Sequence, residues 1–323
     1  MRGAGAVSAV EHLLLPPPGA DAVPHFDGGW LGPGEAPVGA AGVRAGEIGA
    51  DSARREAFLT YVERPTVNWS EELEDLHEES SREHFLDVWT RRALLSQLGP
   101  LPDRAVLADL GCSTGHLLAD LRAAYPDATL IGVDLVASGL RKANALVPDA
   151  RLLQADVCAL PLRPATLDAA LSANLLEHVP DDVGALAELR RVLRPGGRAA
   201  LVVPAGPDTY DYYDRFLGHE RRYGRGELAG KARQVGLDVL LDTHLGALLY
   251  PPFWLVKQRN RHRFAHLEGE ALAARVAGDI AATSDARLGT LACRLEAWAL
   301  EAGVRFPFGI RGLTVLRRPE SPG

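Results

Sequence analysis

The sequence is poor in lysine and cysteine, and each shortage excludes a class of protein. Its 323 residues include three lysines and three cysteines, and the formal net charge is −7. Without a block of basic residues the chain lacks the positive surface that nucleic-acid binding requires, so we predict no nucleic-acid partner. The cysteines are scattered and form no C-x-x-C pair, which argues against a disulfide framework and a zinc site. We therefore predict a protein of a reducing compartment that binds no metal ion.

Long apolar runs are also missing from the sequence. No stretch reaches the ~18 consecutive apolar residues of a membrane span. The longest candidate, residues 245–256, is interrupted by Pro251 and Pro252. Near the amino-terminus, Glu11 and His12 stand where a signal peptide would be apolar. We therefore expect a cytoplasmic protein with no stable membrane insertion.

The most informative segment is residues 106–118, VLADLGCSTGHLL. An apolar strand containing Asp109 leads into a turn with Gly111 and Gly115, and a helical pattern follows. Glycines let the backbone approach a ligand closely, and the start of a helix presents free N–H groups. The spacing D-x-G-x-x-x-G differs from the G-x-G-x-x-G that holds a dinucleotide pyrophosphate, because Ser113 stands at the middle position. The segment therefore predicts a nucleotide-like ligand other than NAD or FAD.

Polar side chains lie at the carboxyl ends of four predicted strands. Ligands of open α/β sheets bind beyond these ends, so we expect the four side chains to converge. Asp134 lies 19 residues after Gly115, close to the ~20-residue spacing at which an acid binds ribose hydroxyls in dinucleotide folds. Asp156, with Val157 beside it, could accept a hydrogen bond from the amino group of an adenine. The four polar residues are Asp109, Asp134, Asp156 and Asn174.

Strand and helix patterns alternate over residues 99–244, which predicts a mostly parallel sheet with helices on both faces. Residues 1–50 are rich in glycine, alanine and proline, so we predict a mostly disordered tail that is dispensable for folding. Residues 51–98 have a helical pattern and are predicted to form a helical extension. Residues 245–308 are predicted to be a helical insertion, and residues 309–323 to hold the last strand.

Within the insertion, apolar residues recur at the three- and four-residue spacing of a helix face. This stripe predicts packing in the core or the face of a homodimer, and a lid over the active site is the alternative. Its members are Leu288, Leu291, Leu295 and Trp298.

Five motifs resemble, in their order, the methyltransferase 11 group of class I S-adenosylmethionine (SAM) methyltransferases: LADLGCSTG, LIGVDL, QADV, SANLLEHVPD and LRPGG. The resemblance covers roughly residues 94–241. It implies SAM as the cofactor and a Rossmann-like α/β fold. That fold has a seven-stranded, mostly parallel sheet that ends in an antiparallel pair of its sixth and seventh strands. Ser113 departs from the pattern of this group, which usually has glycine there.

The resemblance also implies which residues hold the cofactor. The methionine end would be held by Asp109, Gly111 and Gly115, and the ribose by Asp134. The adenine would contact Leu135, Asp156 and Val157, with Asn174 nearby.

The acceptor side is predicted from two segments of polar residues. Methyl transfer from a sulfonium is an in-line displacement, so the protein mainly places the acceptor near the methyl group and excludes water. His178 could deprotonate an acceptor, although the resemblance implies that it is part of the loop scaffold. A G-H-x-R-x-Y element of the same group is matched from Gly218 to Tyr223. Side chains of the surrounding segment, residues 208–225, could clamp an acceptor or pin the loop, and those predicted to contact the acceptor are Tyr210, Tyr213, Arg222 and Tyr223. His219 of this segment is, with His178, a candidate catalytic residue.

The predicted function is O- or C-methylation of a small-molecule acceptor in a biosynthetic or tailoring pathway. Residues 172–175, SANL, do not match the [ND]-P-P-[FYW] loop of enzymes that methylate exocyclic amines of bases. One alternative is a non-catalytic, SAM-binding scaffold of the same fold. Another is an NAD(P)-dependent oxidoreductase, which the missing G-x-G-x-x-G disfavours.

Overall fold

The computed structural model describes residues 13–15, 23–25, 29–31, 58–62, 84–283 and 287–320. The first two strands, β1 (Val23–His25) and β2 (Gly29–Leu31), pair with each other as an antiparallel ribbon. The other strands form one eight-stranded sheet. In chain order they are β3 (Leu59–Thr60), β4 (Val106–Leu110), β5 (Thr129–Asp134), β6 (Arg151–Gln154), β7 (Leu167–Ala173), β8 (Leu193–Pro204), β9 (Asp238–Leu245) and β10 (Arg311–Arg317).

The helices alternate with these strands in the first part of the chain and then follow one another. Those that alternate are α1 (Phe85–Ser96), α2 (His116–Ala124), α3 (Ala137–Leu146), α4 (Asp182–Val192), α5 (Tyr212–Phe216) and α6 (Glu227–Gln234). Those that follow β9 are α7 (Tyr250–Arg263), α8 (Gly269–Thr283) and α9 (Arg287–Glu301).

The strand order of the sheet is β3-β6-β5-β4-β7-β8-β10-β9, and only β10 runs against its neighbours. The predicted Rossmann-like α/β fold, with its antiparallel pair at one edge, is confirmed. Buried aliphatic side chains pack on both faces of the sheet, as the apolar runs of β4 and β5 require. The carboxyl ends of the parallel strands β4 to β8 therefore lie along one edge.

The sheet has one strand more than the seven predicted. The additional strand, β3, lies within the range for which the sequence indicates helix, and its buried Leu59 pairs with Leu153 of β6. A two-residue strand is too short to show an alternating pattern, so pairing with the exposed edge of β6 decides its conformation.

The chain also passes from α4 to β8 earlier than the sequence indicates. The pattern predicts that Pro195, Gly196 and Gly197 close the helix and that a strand starts after them. In the structure α4 ends at Val192 and all three residues belong to β8, next to a register shift between β7 and β8. Leu193 pairs with Leu167 and Arg198 with Ala169, so residues 194–197 have no partner in β7, and Gly196 has φ of 79°. The proline–glycine turn is therefore retained as an irregularity within β8.

The predicted helical insertion consists of α7, α8 and α9. On α9, Gly289 packs against the ring of Phe85, and Glu296 accepts hydrogen bonds from the amides of Gly246 and Leu248 at 2.7 Å. The apolar stripe lies on another face of α9, where Leu288 is 81% and Trp298 71% exposed. The prediction that this stripe packs in the core is therefore wrong, because buried Gly289, Cys293 and Glu296 form the packed face instead.

Part of the predicted amino-terminal tail contacts the sheet. Leu14 is buried in the core and bridges to Leu162, while the amide of Leu15 donates to the carbonyl of Pro161 at 2.9 Å. Residues 13–15 thus differ from the expectation for residues 1–50. Much of the predicted helical extension, residues 51–57 and 63–83, lies outside the described residues.

None of the helices in the described part of the chain has the length and apolar character needed to cross a membrane.

Candidate functional site

The turn after β4 is held in a conformation that few side chains tolerate. Gly111 and Gly115 have φ angles of 77° and 86°, in the left-handed region that favours glycine. A Cβ on Gly115 would also approach the Cβ of Ala143 to 2.8 Å, so α2 and α3 pack closely here. Ser113 has φ of 44°, which explains why glycine is usual at this position in the group that the motif resembles. The turn keeps the glycine-like geometry at the expense of local strain.

A single carboxylate pins this turn to the next strand. Asp134, at the end of β5, accepts a hydrogen bond from the amide of Ser113 at 2.8 Å and from the amide of Val136 at 2.9 Å. The next residue, Leu135, is held through its carbonyl by the side chain of Gln154 at 2.9 Å. A carboxylate has about four acceptor positions, so Asp134 can also bind a pair of hydroxyl groups. This is the arrangement that a ribose requires.

Asp109 is a buried acid without a complete set of partners. The side chain is 1% exposed, and no group in the described part of the chain donates a hydrogen bond to its Oδ2. Burial, and to a smaller extent the neighbouring Asp134 carboxylate, raises the pKa of Asp109 to about 8. A buried acceptor of this kind is costly unless a ligand satisfies it. The ammonium group of an amino-acid ligand such as the methionine end of SAM would do so.

The remaining predicted cofactor residues lie along the same edge of the sheet. Asp156 is exposed and caps its own turn by accepting from the amide of Cys158 at 2.8 Å, while Val157 beside it is buried. Asn174 follows β7 with φ of 54°, a conformation that asparagine tolerates better than most residues. The side chain of Leu175 packs over Gly111 and so closes the turn from the side of β7.

The turn after β7 carries a second buried acid. Leu176–His178 is a single 3₁₀ turn, and Glu177 within it is fully buried. Neither carboxylate oxygen has a hydrogen-bond partner among the residues that the structure describes. Burial raises the pKa of Glu177 to about 7, although the nearby His219 opposes this change. The ring of His178 packs edge-on against the ring of His219, with centroids 4.8 Å apart.

A buried ion network lies beside this turn, and we use that name for Asp211, Asp214, His219, Arg222 and Lys257. Asp214 binds Nε of Arg222 at 2.7 Å and Nδ1 of His219 at 2.8 Å. Lys257, on α7, contacts Asp211 at 2.7 Å and Asp214 at 3.6 Å. Asp211 and Asp214 together form a capping box at the start of α5.

The charges of the network set the protonation of Asp214. Burial opposes its ionisation, but the hydrogen bond from His219 and the charges of Arg222 and Lys257 hold the pKa of Asp214 well below its usual range. An ionised carboxylate only accepts hydrogen bonds, so Nδ1 of His219 carries a proton and donates a hydrogen bond to Asp214. This leaves Nε2 as the second functional nitrogen of the ring.

The residues predicted for the acceptor side have different environments. Tyr223 is buried, and its hydroxyl donates to Asp182 at 2.7 Å, while buried Arg222 donates to Asp214, Thr209 and the carbonyl of Ala205.

Tyr210 donates to the carbonyl of His219 at 2.7 Å and is half-buried, whereas the ring of Tyr213 lies 5.3 Å from the Lys257 ammonium. Tyr210, Tyr213 and His219 therefore stay in our prediction of acceptor contacts. Tyr223 and Arg222 do not, because their polar groups already hold the loop to the body.

The sequence reasoning missed the burial of Glu177 and the part played by Lys257. Glu177 stands in the apolar context LLEHV, where a buried acid beside a histidine is a recognisable signal. Lys257 is one of three lysines in a chain that otherwise uses arginine. Its partners are far away in sequence, so no spacing rule indicates them.

Comparisons with known proteins agree with this geometry. Residues 108–201 match a family model described as a methyltransferase domain. A trans-aconitate 2-methyltransferase of Azoarcus is 39% identical over 127 residues, which are 38% of this chain and 49% of that protein. The trans-aconitate 2-methyltransferase of Deinococcus radiodurans is 36% identical over 159 residues, or 46% of this chain and 61% of that protein. The chain thus spans about half the length of the curated relatives that it matches.

A solved structure supports the fold in particular. The crystal structure of a putative sarcosine dimethylglycine methyltransferase from Galdieria sulphuraria superposes with a TM-score of 0.51. The two sequences are 16% identical, and the match covers 72% of this chain and 87% of that one. At this identity the likeness shows a shared fold and says nothing about the acceptor.

Proposed function

We propose that the protein is a class I methyltransferase that methylates a small-molecule acceptor with SAM as the methyl donor, because residues 108–201 match a methyltransferase domain model. The observation that carries this proposal is the buried, unsatisfied Oδ2 of Asp109 beside a turn pinned by Asp134. One acid offers an acceptor for an ammonium group, and the other offers acceptors for a diol. SAM has both groups, and NAD lacks the first.

The residues of the site would act mainly by positioning. When bound, SAM supplies a methyl group on a sulfonium. The methyl group passes to the acceptor, the rest of SAM leaves as a neutral thioether, and the acceptor loses a proton. Gly111 and Gly115 would let the backbone approach the methionine end, Asp109 would bind its ammonium group, and Asp134 would bind the ribose hydroxyls. The segment from Tyr210 to His219 would hold the acceptor in line with the methyl group, because proximity accounts for most of such an acceleration.

We infer an oxygen or carbon atom as the methylated position. The relatives support this choice by their names, which include a malonyl-[acyl-carrier protein] O-methyltransferase and a ubiquinone/menaquinone biosynthesis C-methyltransferase.

His178 and His219 are the candidate bases. The ring of His219 is fixed by Asp214, so we expect His219→Ala to raise the KM for the acceptor more than it lowers kcat. His178→Ala should mainly cost stability and cofactor affinity, because its ring packs on that of His219.

Ligand binding separates this proposal from the NAD(P)-dependent alternative. We expect calorimetric titration to give a roughly micromolar dissociation constant for SAM and for S-adenosylhomocysteine. No heat of binding is expected with NADH or NADPH. Binding of either nicotinamide cofactor in place of SAM would contradict the proposal.

Turnover separates it from the non-catalytic alternative. The protein should transfer labelled methyl groups from SAM to at least one member of a panel of small carboxylic acids, phenols and carbon acids. The Asp109→Asn variant is the control, and its methyl transfer should fall because Asp109 is proposed to bind the methionine end of SAM. Tight SAM binding with no transfer to any class of acceptor would favour a scaffold.

A further inference from the structure

Three possible metal ligands meet at the edge of the proposed methyl-transfer site. Glu177 and His178 come from the turn after β7, and His219 comes from the loop after α5. One ligand atom from each residue lies within 4.8 Å of the other two. A backbone hydrogen bond of 2.8 Å from the amide of Glu220 to the carbonyl of Glu177 clamps the two segments together. The meeting of these side chains is therefore built into the backbone.

The state of Glu177 is an independent indication of a missing cation. The side chain is fully buried, and in the described part of the chain neither oxygen has a hydrogen-bond partner. The arginines whose charges act on Glu177, Arg311 and Arg222, are paired with Asp87 and Asp214 instead. An isolated carboxylate in such a place is costly, whereas a carboxylate that binds a metal ion is compensated.

The orientation of His219 matches that of a metal ligand. Its Nδ1 lies 2.8 Å from Oδ1 of Asp214, and this contact fixes the ring so that Nε2 is the nitrogen that can bind a metal ion. Metal-binding histidines usually donate their other ring proton to a carboxylate in this way, and the contact makes the ligand more basic. Asp214 is thus a positioning residue for His219.

We propose that Glu177, His178 and His219 bind a divalent transition-metal ion through one carboxylate oxygen and two imidazole nitrogens. This proposal replaces the prediction of no metal ion, which rested on the cysteine spacing and did not consider a site of histidine and glutamate. This ligand set suits Zn²⁺ and the neighbouring ions Mn²⁺, Fe²⁺ and Co²⁺ better than Mg²⁺, which prefers oxygen ligands and water. In tetrahedral geometry, metal–ligand bonds of about 2.0–2.2 Å place two ligand atoms about 3.3–3.6 Å apart, so the side chains close by roughly 1 Å on binding.

The ion would deepen the proposed function, on which this part of the inference rests. Three protein ligands leave at least one coordination position open, which an acceptor hydroxyl or enolate oxygen can occupy. The ion then lowers the pKa of the acceptor and holds its oxygen in place as a Lewis acid. Neither histidine would need to remove the proton directly.

Metal binding can be measured without the methyl-transfer reaction. The untagged full-length protein is treated with a chelator, and Zn²⁺ alone, Co²⁺ alone and Mg²⁺ alone are titrated by calorimetry. We expect one equivalent of Zn²⁺ or Co²⁺ to bind, with a visible absorption spectrum of Co²⁺ that indicates nitrogen ligands. Mg²⁺ should bind more weakly.

Variants then assign the ligands. Glu177→Gln and His219→Asn should each weaken Zn²⁺ binding by at least about tenfold, as loss of one ligand or its partner commonly does. His262→Asn, at an exposed histidine on α7, is the matched control and should bind Zn²⁺ like the wild type. Equal binding by all four proteins, or no binding by the wild type, would overturn the inference.

Two further measurements keep the outcomes distinguishable. The melting temperature in chelator tests whether each variant folds, and Glu177→Gln should fold well because it removes a buried charge. Should His219→Asn fail to fold, His178→Asn replaces it.

SAM affinity, measured on the same samples, tests the proposed function separately. SAM binding without metal binding would refute only the metal site, and metal binding without SAM binding would refute only the methyltransferase proposal.

Discussion

The cofactor turn and the buried ion network lie side by side but are stabilised by different means. The turn from Gly111 to Gly115 depends on backbone conformation, and one carboxylate, Asp134, holds it with two hydrogen bonds to amides. The network places several charged side chains where water does not reach, so each charge depends on its partners. Local geometry therefore shapes the proposed cofactor site, whereas long-range electrostatics shapes the proposed acceptor side. The two regions should respond differently to substitution.

The largest expected effect comes from removing the centre of the network. Asp214→Ala leaves Arg222, His219 and Lys257 without their shared carboxylate, and a buried charge without a partner costs about 3–5 kcal/mol. We expect the free energy of unfolding, measured by urea denaturation at pH 7, to fall by that amount. Asp103→Asn, at an exposed acid, is the control and should change it by less than about 0.5 kcal/mol. A loss of similar size in both variants would mean that the network is not the source of stability.

A substitution in the cofactor turn should weaken binding more than folding. Asp134→Ala removes charge-assisted hydrogen bonds to the ribose and one anchor of the turn, so SAM affinity should fall by ~1.5–3 kcal/mol, or roughly 10- to 150-fold. Calorimetry measures the affinity, and Asp127→Ala, an exposed acid outside the site, provides the comparison. Unchanged affinity in Asp134→Ala would remove this residue from the site.

The buried acid of the cofactor turn should make stability depend on pH. The pKa of Asp109 is about 8 in the folded protein and about 4 in an unfolded chain. The folded state therefore holds the proton more tightly, and this contribution to stability, present at low pH, is lost as the pH rises from about 4 to about 8. Asp109→Asn lacks the titration, so without cofactor it should gain about 3 kcal/mol on the wild type between pH 5.5 and pH 8.5. Urea denaturation at both pH values measures the difference, and parallel changes in the two proteins would contradict it.

The smallest effect is expected at the strained residue of the turn. Ser113 has positive φ, which costs a residue with a Cβ about 1 kcal/mol relative to glycine. Ser113→Gly should raise the free energy of unfolding by roughly 0.5–1 kcal/mol and leave SAM affinity within about twofold, since the contact to Asp134 uses the amide. A large loss of affinity would show instead that the serine hydroxyl contacts the cofactor.

Much of the cofactor side could be predicted from the sequence because its signals are local. The strand, the glycine turn and the helix that follow one another around Gly111 are encoded in neighbouring residues. The parallel sheet then places Asp109, Asp134 and Asn174 at one edge, as the alternation of strands and helices implies. Predictions failed where pairing between strands decided the outcome, as at Leu59.

The acceptor side was less predictable, because burial and ion pairing join distant parts of the chain. The sequence alone determined which residues turn, which alternate between strand and helix, and where acids follow strands, since these depend on local dihedral preferences and periodic patterns. Tertiary structure alone decided that Tyr223 and Arg222 serve the loop, that the stripe on α9 faces outward, and that Glu177 meets His219. A side chain's partners and its loss of water depend on how segments cross in space, and no pattern along the chain specifies that.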